Sequence, residues 1–207
     1  MHSNKAFIAL VVTVLAFGKL FGQPAGADSL EKSLIASQGE HRVDVLNQLS
    51  YTYITLDSAK VNDFNRQAIA LSHSIRYAKG EARAYTYRGV AAYLSGNLDE
   101  GHRNLSKGLQ LAKDAGDEQL AGYAYLQLGN CSLEEVQMDS AMMFFKQSRE
   151  VFRDSTDPRT LSKLYRNISA LYGQRYQIDS QKHYLDRAIT IRGGFSPTRI
   201  CSLKPWL

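Results

Sequence analysis

The chain has 207 residues, with 25 Lys and Arg against 20 Asp and Glu and 44% hydrophobic residues. That is the composition of one or two ordinary globular domains; it excludes a collagen-like or low-complexity chain, and two cysteines, Cys131 and Cys201, cannot build a disulfide framework or a four-thiolate zinc site. The net charge of +5 sits mostly at the ends: residues 1–22 hold Lys5 and Lys19 and no acid, and the tail holds Arg199 and Lys204. The body between them is nearly neutral, without the clustered basic face a nucleic-acid partner needs.

Residues 1–22, MHSNKAFIALVVTVLAFGKLFG, have a positive start at Lys5 and an apolar run from Ala6 to Phe17 that Lys19 cuts short. A bilayer crossing needs about 20 apolar residues, so the length and flanks describe a secretory signal peptide. The expected cut follows Gly22, or Ala27 at the latest, and the mature chain is expected to be exported, with the bacterial periplasm as its compartment and no further membrane span. Residues 28–41 then form a leading helix and linker.

From residue 42 to 192 the chain repeats itself with a step of forty. Tyr85, Tyr125 and Tyr165 keep that step, as do Leu98, Met138 and Ile178, each followed by an aspartate. Leu105, Phe145 and Leu185 keep it too, and the small residues Ala68, Gly108, Ser148 and Ala188 hold it through four copies. Within a unit, apolar residues recur at three- and four-residue steps, the helical period. Gly96-Asn97 marks a turn between two helical patterns, and Asp157-Pro158 reads as an N-cap followed by proline at the first helical position. Each unit is therefore a helix hairpin, and hairpins must stack to bury their apolar faces. The units fall at about 42–80, 81–116, 117–156 and 157–192.

The residue columns resemble the tetratricopeptide repeat. The third unit carries the family pattern best, with Tyr125, Leu128-Gly129, Ala141, Phe145 and Ser148; the second has Tyr85, Gly89, Gly96, Leu105 and Gly108; the fourth has Tyr165, Ile168, Tyr172, Leu185 and Ala188. The first is degenerate, keeping Leu49, Tyr53, Val61 and Ala68. The resemblance implies an all-α fold, a right-handed α-solenoid of about four hairpins. A forty-residue unit is longer than the family's usual 34, and the surplus is expected after the second helix, as a longer helix plus a loop. Such long repeats are similar to those in exported sensory regions of bacterial sensor histidine kinases and regulators. The tail, 193–207, breaks the pattern with Gly193-Gly194, Pro197 and Pro205 and is expected to be irregular, which leaves Leu185, Ile189 and Ile191 of the last hairpin exposed for self-association.

No catalytic constellation converges. Asp99, Asp139 and Asp179 are expected to cap second helices, and His41, His73, His102 and His183 to lie on the surface without paired spacing. Cys131 is expected as a buried small hydrophobe, and no nucleophile elbow, phosphate loop or dinucleotide fingerprint occurs. Neither a metal nor a cofactor is expected, and the chain is not expected to be an enzyme. In the family that the columns resemble, first helices line a concave groove that holds a peptide or protein segment. Carried over by register, that face is Arg83, Thr86, Val90 and Tyr93 in unit two, Tyr123, Leu126, Asn130 and Leu133 in unit three, and Lys163, Arg166 and Ala170 in unit four. Asn130, Lys163 and Arg166 partly match a clamp for a peptide's terminal carboxylate, which cations and an amide suit by donating charge-assisted hydrogen bonds. The implied function is an exported peptide- or protein-binding scaffold, or alternatively the sensory domain of a signal-transduction protein.

Overall fold

The computed structural model describes residues 26–153 and 158–192; the leader, 1–22, and the tail, 193–207, lie outside them. All regular structure among the described residues is helical. A leading helix, α1 (Ala27–Ala36), precedes four hairpins: α2 (Gly39–Tyr53) with α3 (Ser58–Ile75), α4 (Ala78–Leu94) with α5 (Leu98–Asp114), α6 (Glu118–Glu134) with α7 (Met138–Phe152), and α8 (Pro158–Gln174) with α9 (Ile178–Arg192). The fold is an all-α solenoid of stacked hairpins.

Local chemistry sets the helix ends. The side chains of Asp57, Asn97 and Asp117 accept from the backbone N–H three residues on and so cap α3, α5 and α6. Asp99, Asp139 and Asp179 do not cap: each lies inside the first turn of its helix, where it complements the positive end of the helix dipole. The turn of each later hairpin places one residue in the left-handed region, at Gly96, Val136 and Tyr176, again forty apart. The N–H of the next residue then closes the helix end, Asn97 onto the Ala92 carbonyl at 2.9 Å and Gln137 onto Ser132 at 2.8 Å. Between units, only Arg76-Tyr77 separates α3 from α4 and only residues 115–117 separate α5 from α6. The surplus of the long unit therefore lengthens both helices, to 15–18 residues, and does not form the expected loop.

The two helices of a hairpin approach closely at the small-residue columns. A Cβ on Gly89 would lie 2.7 Å from the Leu105 backbone nitrogen, one on Gly108 would lie 2.8 Å from that of Thr86, and one on Gly129 would overlap the Phe145 ring. Serines do the same work with hydrogen bonds elsewhere. Ser148 Oγ donates to the Gly122 carbonyl at 2.9 Å, and Ser162 Oγ to Ala188 at 3.0 Å. In the degenerate first unit a polar pair takes the place of Gly89 and Leu105: Ser50 Oγ donates to Asn65 Oδ1 at 2.7 Å, both side chains fully buried.

Large apolar residues fill the space between hairpins. Leu105 packs with Val90, Leu128 and Cys131, and Phe145 with Leu161, Leu164 and Ile168. Among the described residues, the first hairpin is covered by a further helix and the last is not. α1 covers the first hairpin with Ala27, Leu30 and Leu34, and the Tyr53 hydroxyl donates to Glu31 at 2.9 Å while Lys60 Nζ donates to that hydroxyl at 3.2 Å. On α9, Leu185 is 43% exposed although Leu105 and Phe145, its counterparts, are fully buried. Ile178 and Ile189 on the same helix are 63% and 61% exposed. Ile191 does not join them, contrary to expectation: two residues beyond Ile189 it has swung to the other side of the helix, into the cluster with Leu161 and Leu164.

Val136 has φ 61° in a turn where the second unit uses glycine, and its side chain is 71% exposed, so no packing compensates the left-handed backbone. A non-glycine residue there costs about 1–2 kcal/mol, partly offset in Val136→Gly by the greater freedom of the unfolded glycine chain. The substitution is expected to stabilise the fold by about 0.5–1 kcal/mol. Circular-dichroism melts should show a midpoint a few degrees above the parent, and a lower midpoint would contradict the strain.

Candidate functional site

The first helices α2, α4, α6 and α8 touch one another in succession, in addition to their own hairpin partners. Helices that meet across units line the tighter, inner side of a stack. Three sets of polar and aromatic contacts cross that inner face. Arg83 reaches Asp44 on the preceding unit and Asp117 at the following one, each at 3.4 Å, and the Tyr77 hydroxyl donates to Asp44 at 3.2 Å. The rings of Tyr51, Tyr87 and Tyr123 follow one another with centroids 5.5 and 6.4 Å apart. Beyond them runs a chain of amides: Asn167 Nδ2 donates to Asn130 Oδ1 at 2.6 Å, Asn130 Nδ2 to Gln127 Oε1 at 3.0 Å, and the Tyr93 hydroxyl to that same oxygen at 3.4 Å.

Burial dominates the titration of this face. It raises the hydroxyls of Tyr87, Tyr93 and Tyr123 above the usual tyrosine value, Tyr123 the most, with neighbouring Tyr87 adding to the effect on Tyr123. The tyrosines therefore remain neutral hydrogen-bonding groups at any physiological pH.

The sequence-predicted residues divide into three groups. Arg83, Tyr123 and Asn130 belong to the network just described, and Tyr93 joins it through its hydroxyl. Lys163, Arg166 and Ala170 are exposed on α8, and no interaction joins Asn130 to Lys163 or Arg166. Thr86, Val90 and Leu126 are buried, at 0%, 4% and 1% exposure, and Leu133 packs into the core. The reason is a slip of one residue: from Arg83 and Tyr123 the inner face continues four residues on, to Tyr87 and Gln127, whereas the third residue on turns into the hairpin. Thr86 lies there against Gly108. Tyr87, Gln127 and Asn167 were missed for this reason, and Tyr51 because no inner face was carried onto the degenerate first unit. The signal for the tyrosines is the 36-residue step of Tyr51, Tyr87 and Tyr123, one helical turn less than the repeat.

Elsewhere the candidates are inert. His41 and His73 are exposed, but His102 packs on Phe144 at 6.0 Å and His183 on Tyr184 at 5.3 Å, so these two are half-buried. Cys131 is fully buried, and burial pushes its thiol up to about 11, which holds it protonated. No three His, Cys, Asp or Glu gather into a metal-binding group among the described residues, and no described helix is long and apolar enough to cross a membrane. A polar cavity of about 640 Å³ opens between α3, α4 and the start of α5, where Arg88 pairs with Glu100 at 3.0 Å and Arg66 with Asp63.

Three solved structures share this architecture. BtubC (BKLC) from P. vanneervenii superposes with a TM-score of 0.67 at 15% identity, covering 98% of this chain and 84% of that one. Aspartyl phosphate phosphatase F from Bacillus subtilis gives 0.68 at 17% identity, over 84% of this chain and 45% of that one. RapI in its apo form gives 0.65 at 15% identity, over 83% and 48%. The fold is of the tetratricopeptide type. The chain spans less than half the length of the latter two proteins, and likeness at this identity concerns the fold alone. No protein-family model and no curated protein sequence matches it.

Proposed function

We propose that the chain is an exported binding module whose inner face holds a peptide or protein segment. The observation that carries this is the Tyr51–Tyr87–Tyr123 row with its flanking Arg83 and amide chain, a set of oriented polar and aromatic groups spanning four units. Aromatic rings supply contact area at low entropic cost, and amides held by their neighbours are already oriented for a ligand. One of the similar structures is described as a phosphatase, but the likeness bears on the scaffold only, and no catalytic role is proposed here. The length of the repeat unit favours a second reading, the sensory region of a bacterial signalling protein, which would use the same face.

Panning a phage-displayed peptide library on the mature chain is expected to enrich binders that lose at least about ten-fold in affinity on a Tyr51→Ala/Tyr87→Ala variant. Binders indifferent to both substitutions would place the site elsewhere.

Export is proposed from the leader. Ala27 is fully buried at the start of α1, so a cut after Ala27 would remove a packed residue, and the cut after Gly22 is the one the fold tolerates. Terminal sequencing of the periplasmic protein should begin at Gln23, and Leu10→Arg with Val12→Arg should abolish translocation, because charge in a short apolar run opposes insertion.

The exposed apolar face of α9 is proposed to self-associate, since contiguous exposed apolar residues such as Ile178, Leu185 and Ile189 pair with other surfaces. Light scattering should show a concentration-dependent mass that Ile189→Lys lowers; a constant monomer mass would refute it.

A further inference from the structure

Given the self-association read above, the pattern of charge on α9 restricts which surface of the second copy it meets. Ile178, Lys182, Leu185, Ile189 and Arg192 follow one another at alternating four- and three-residue steps. At 100° per residue they fall within an arc of about 80°, and all five are exposed. Steps of that kind form the seam along which two helices pack. One flank of the seam carries the exposed acids Asp179 and Asp186, and the other, with Ala188 and Ile191, turns into the core. Lys182, Asp179 and Asp186 enter no ion pair among the described residues.

The candidate occupants ask different things of this seam. A further hairpin, stacked as the others are, does not fit. The places of Lys182 and Arg192 hold Met142 and Phe152 in the third unit, and both of those pack into the core between hairpins. Covering the seam in that way would bury two cations without partners. An anionic bilayer favours a uniformly cationic rim, whereas Asp179 and Asp186 line this one. The α9 helix of a second copy brings both signs of charge and the same apolar side chains.

Antiparallel pairing about a two-fold axis that crosses α9 between His183 and Tyr184 matches them. In that register Ile178 lies opposite Ile189 of the second copy, and Lys182 opposite Leu185. Asp186 of the second copy comes within one residue of Lys182, about 1.5 Å along the axis. Helices packed about 8–10 Å apart let a lysine stem cover the leucine while its ammonium reaches the carboxylate. Symmetry makes each contact twice. A parallel pair would instead set Lys182 against Lys182 and Arg192 against Arg192, like charges at close range.

We propose that the mature chain forms a closed dimer through an antiparallel pair of α9 helices, in which Ile178 packs on Ile189 of the second copy and Lys182 pairs with its Asp186.

The test is sedimentation equilibrium of the mature chain and of variants at these exposed positions, each first checked for an unchanged circular-dichroism melt. The parent's mass should level off at two chains as concentration rises. Lys182→Glu and Asp186→Lys should each weaken the dimer by about ten-fold, since each sets like charges together at two places. Mixed in equal amounts, the two variants should regain the parent's affinity within about three-fold, because each supplies the charge that the other has lost. That rescue cannot arise within one helix. In a Cys201→Ser background, a short thiol cross-linker should join Ile178→Cys chains to Ile189→Cys chains, and not Ile178→Cys chains to one another. A mass constant at one chain, with or without binding to anionic vesicles, overturns this pairing and self-association together. Three outcomes overturn the pairing alone: a dimer that mixing does not rescue, Ile178→Cys chains that cross-link to one another, and a mass that climbs past two chains, the mark of head-to-tail contact.

Discussion

The close approach of the two helices in each hairpin is the constraint from which the rest of the molecule follows. Gly89 lies against the backbone of Leu105, Gly108 against Thr86, and Gly129 under the Phe145 ring. At those distances only a hydrogen atom, or a serine hydroxyl donating across the gap as at Ser148 and Ser162, can stand between the helices. Each such contact fixes the rotation of the first helix about its own axis. Once Thr86 is inside, Tyr87 must look towards the inner face, and once Leu126 is inside, Gln127 must. The make-up of the inner face is thus a by-product of how the hairpins close.

This explains what the sequence disclosed and what it withheld. Packing columns repeat because every unit solves the same problem of fitting two helices together, so Leu105 and Phe145, or Gly108 and Ser148, could be aligned without a structure. The inner face solves no shared problem. The position of Asp44 holds Arg83, Tyr123 and Lys163 in the later units, an acid, two bases and a phenol, and no column announces itself. Choosing the third residue after Arg83 instead of the fourth, 300° of rotation against 400°, was enough to select a core threonine over a half-buried tyrosine of the inner face. The aspartates that follow Leu98, Met138 and Ile178 misled in a related way: a periodic acid near a helix start suggests a cap, but Asn97 caps α5 and Asp99 acts one turn inside.

The first unit shows how far the packing rule can be relaxed. Ser50 and Asn65 replace a glycine and a leucine, and their mutual hydrogen bond joins the two helices at the same place. The amide nitrogen of Asn65 and the amide oxygen of Asn47 nevertheless find no partner, whereas the third and fourth hairpins each leave one buried polar atom unpartnered, at Ser132 and Arg187. The first hairpin is also the one that α1 covers, with the Glu31–Tyr53–Lys60 contacts fastening the cover. The least regular repeat sits where an extra helix shields it.

The tyrosine row has one more consequence. Tyr51 stands near the end of α2, Tyr87 in the middle of α4 and Tyr123 in the first half of α6, so each step along the array retreats by one turn of helix. The line of rings is oblique. It enters the inner face over one rim and leaves over the other after three units, whatever the total number of units. A row that ran parallel to the stack would lengthen with every added copy; this one ends where the diagonal meets the rim. Growth or loss of units at the far end would change the length of the array without changing the row of rings.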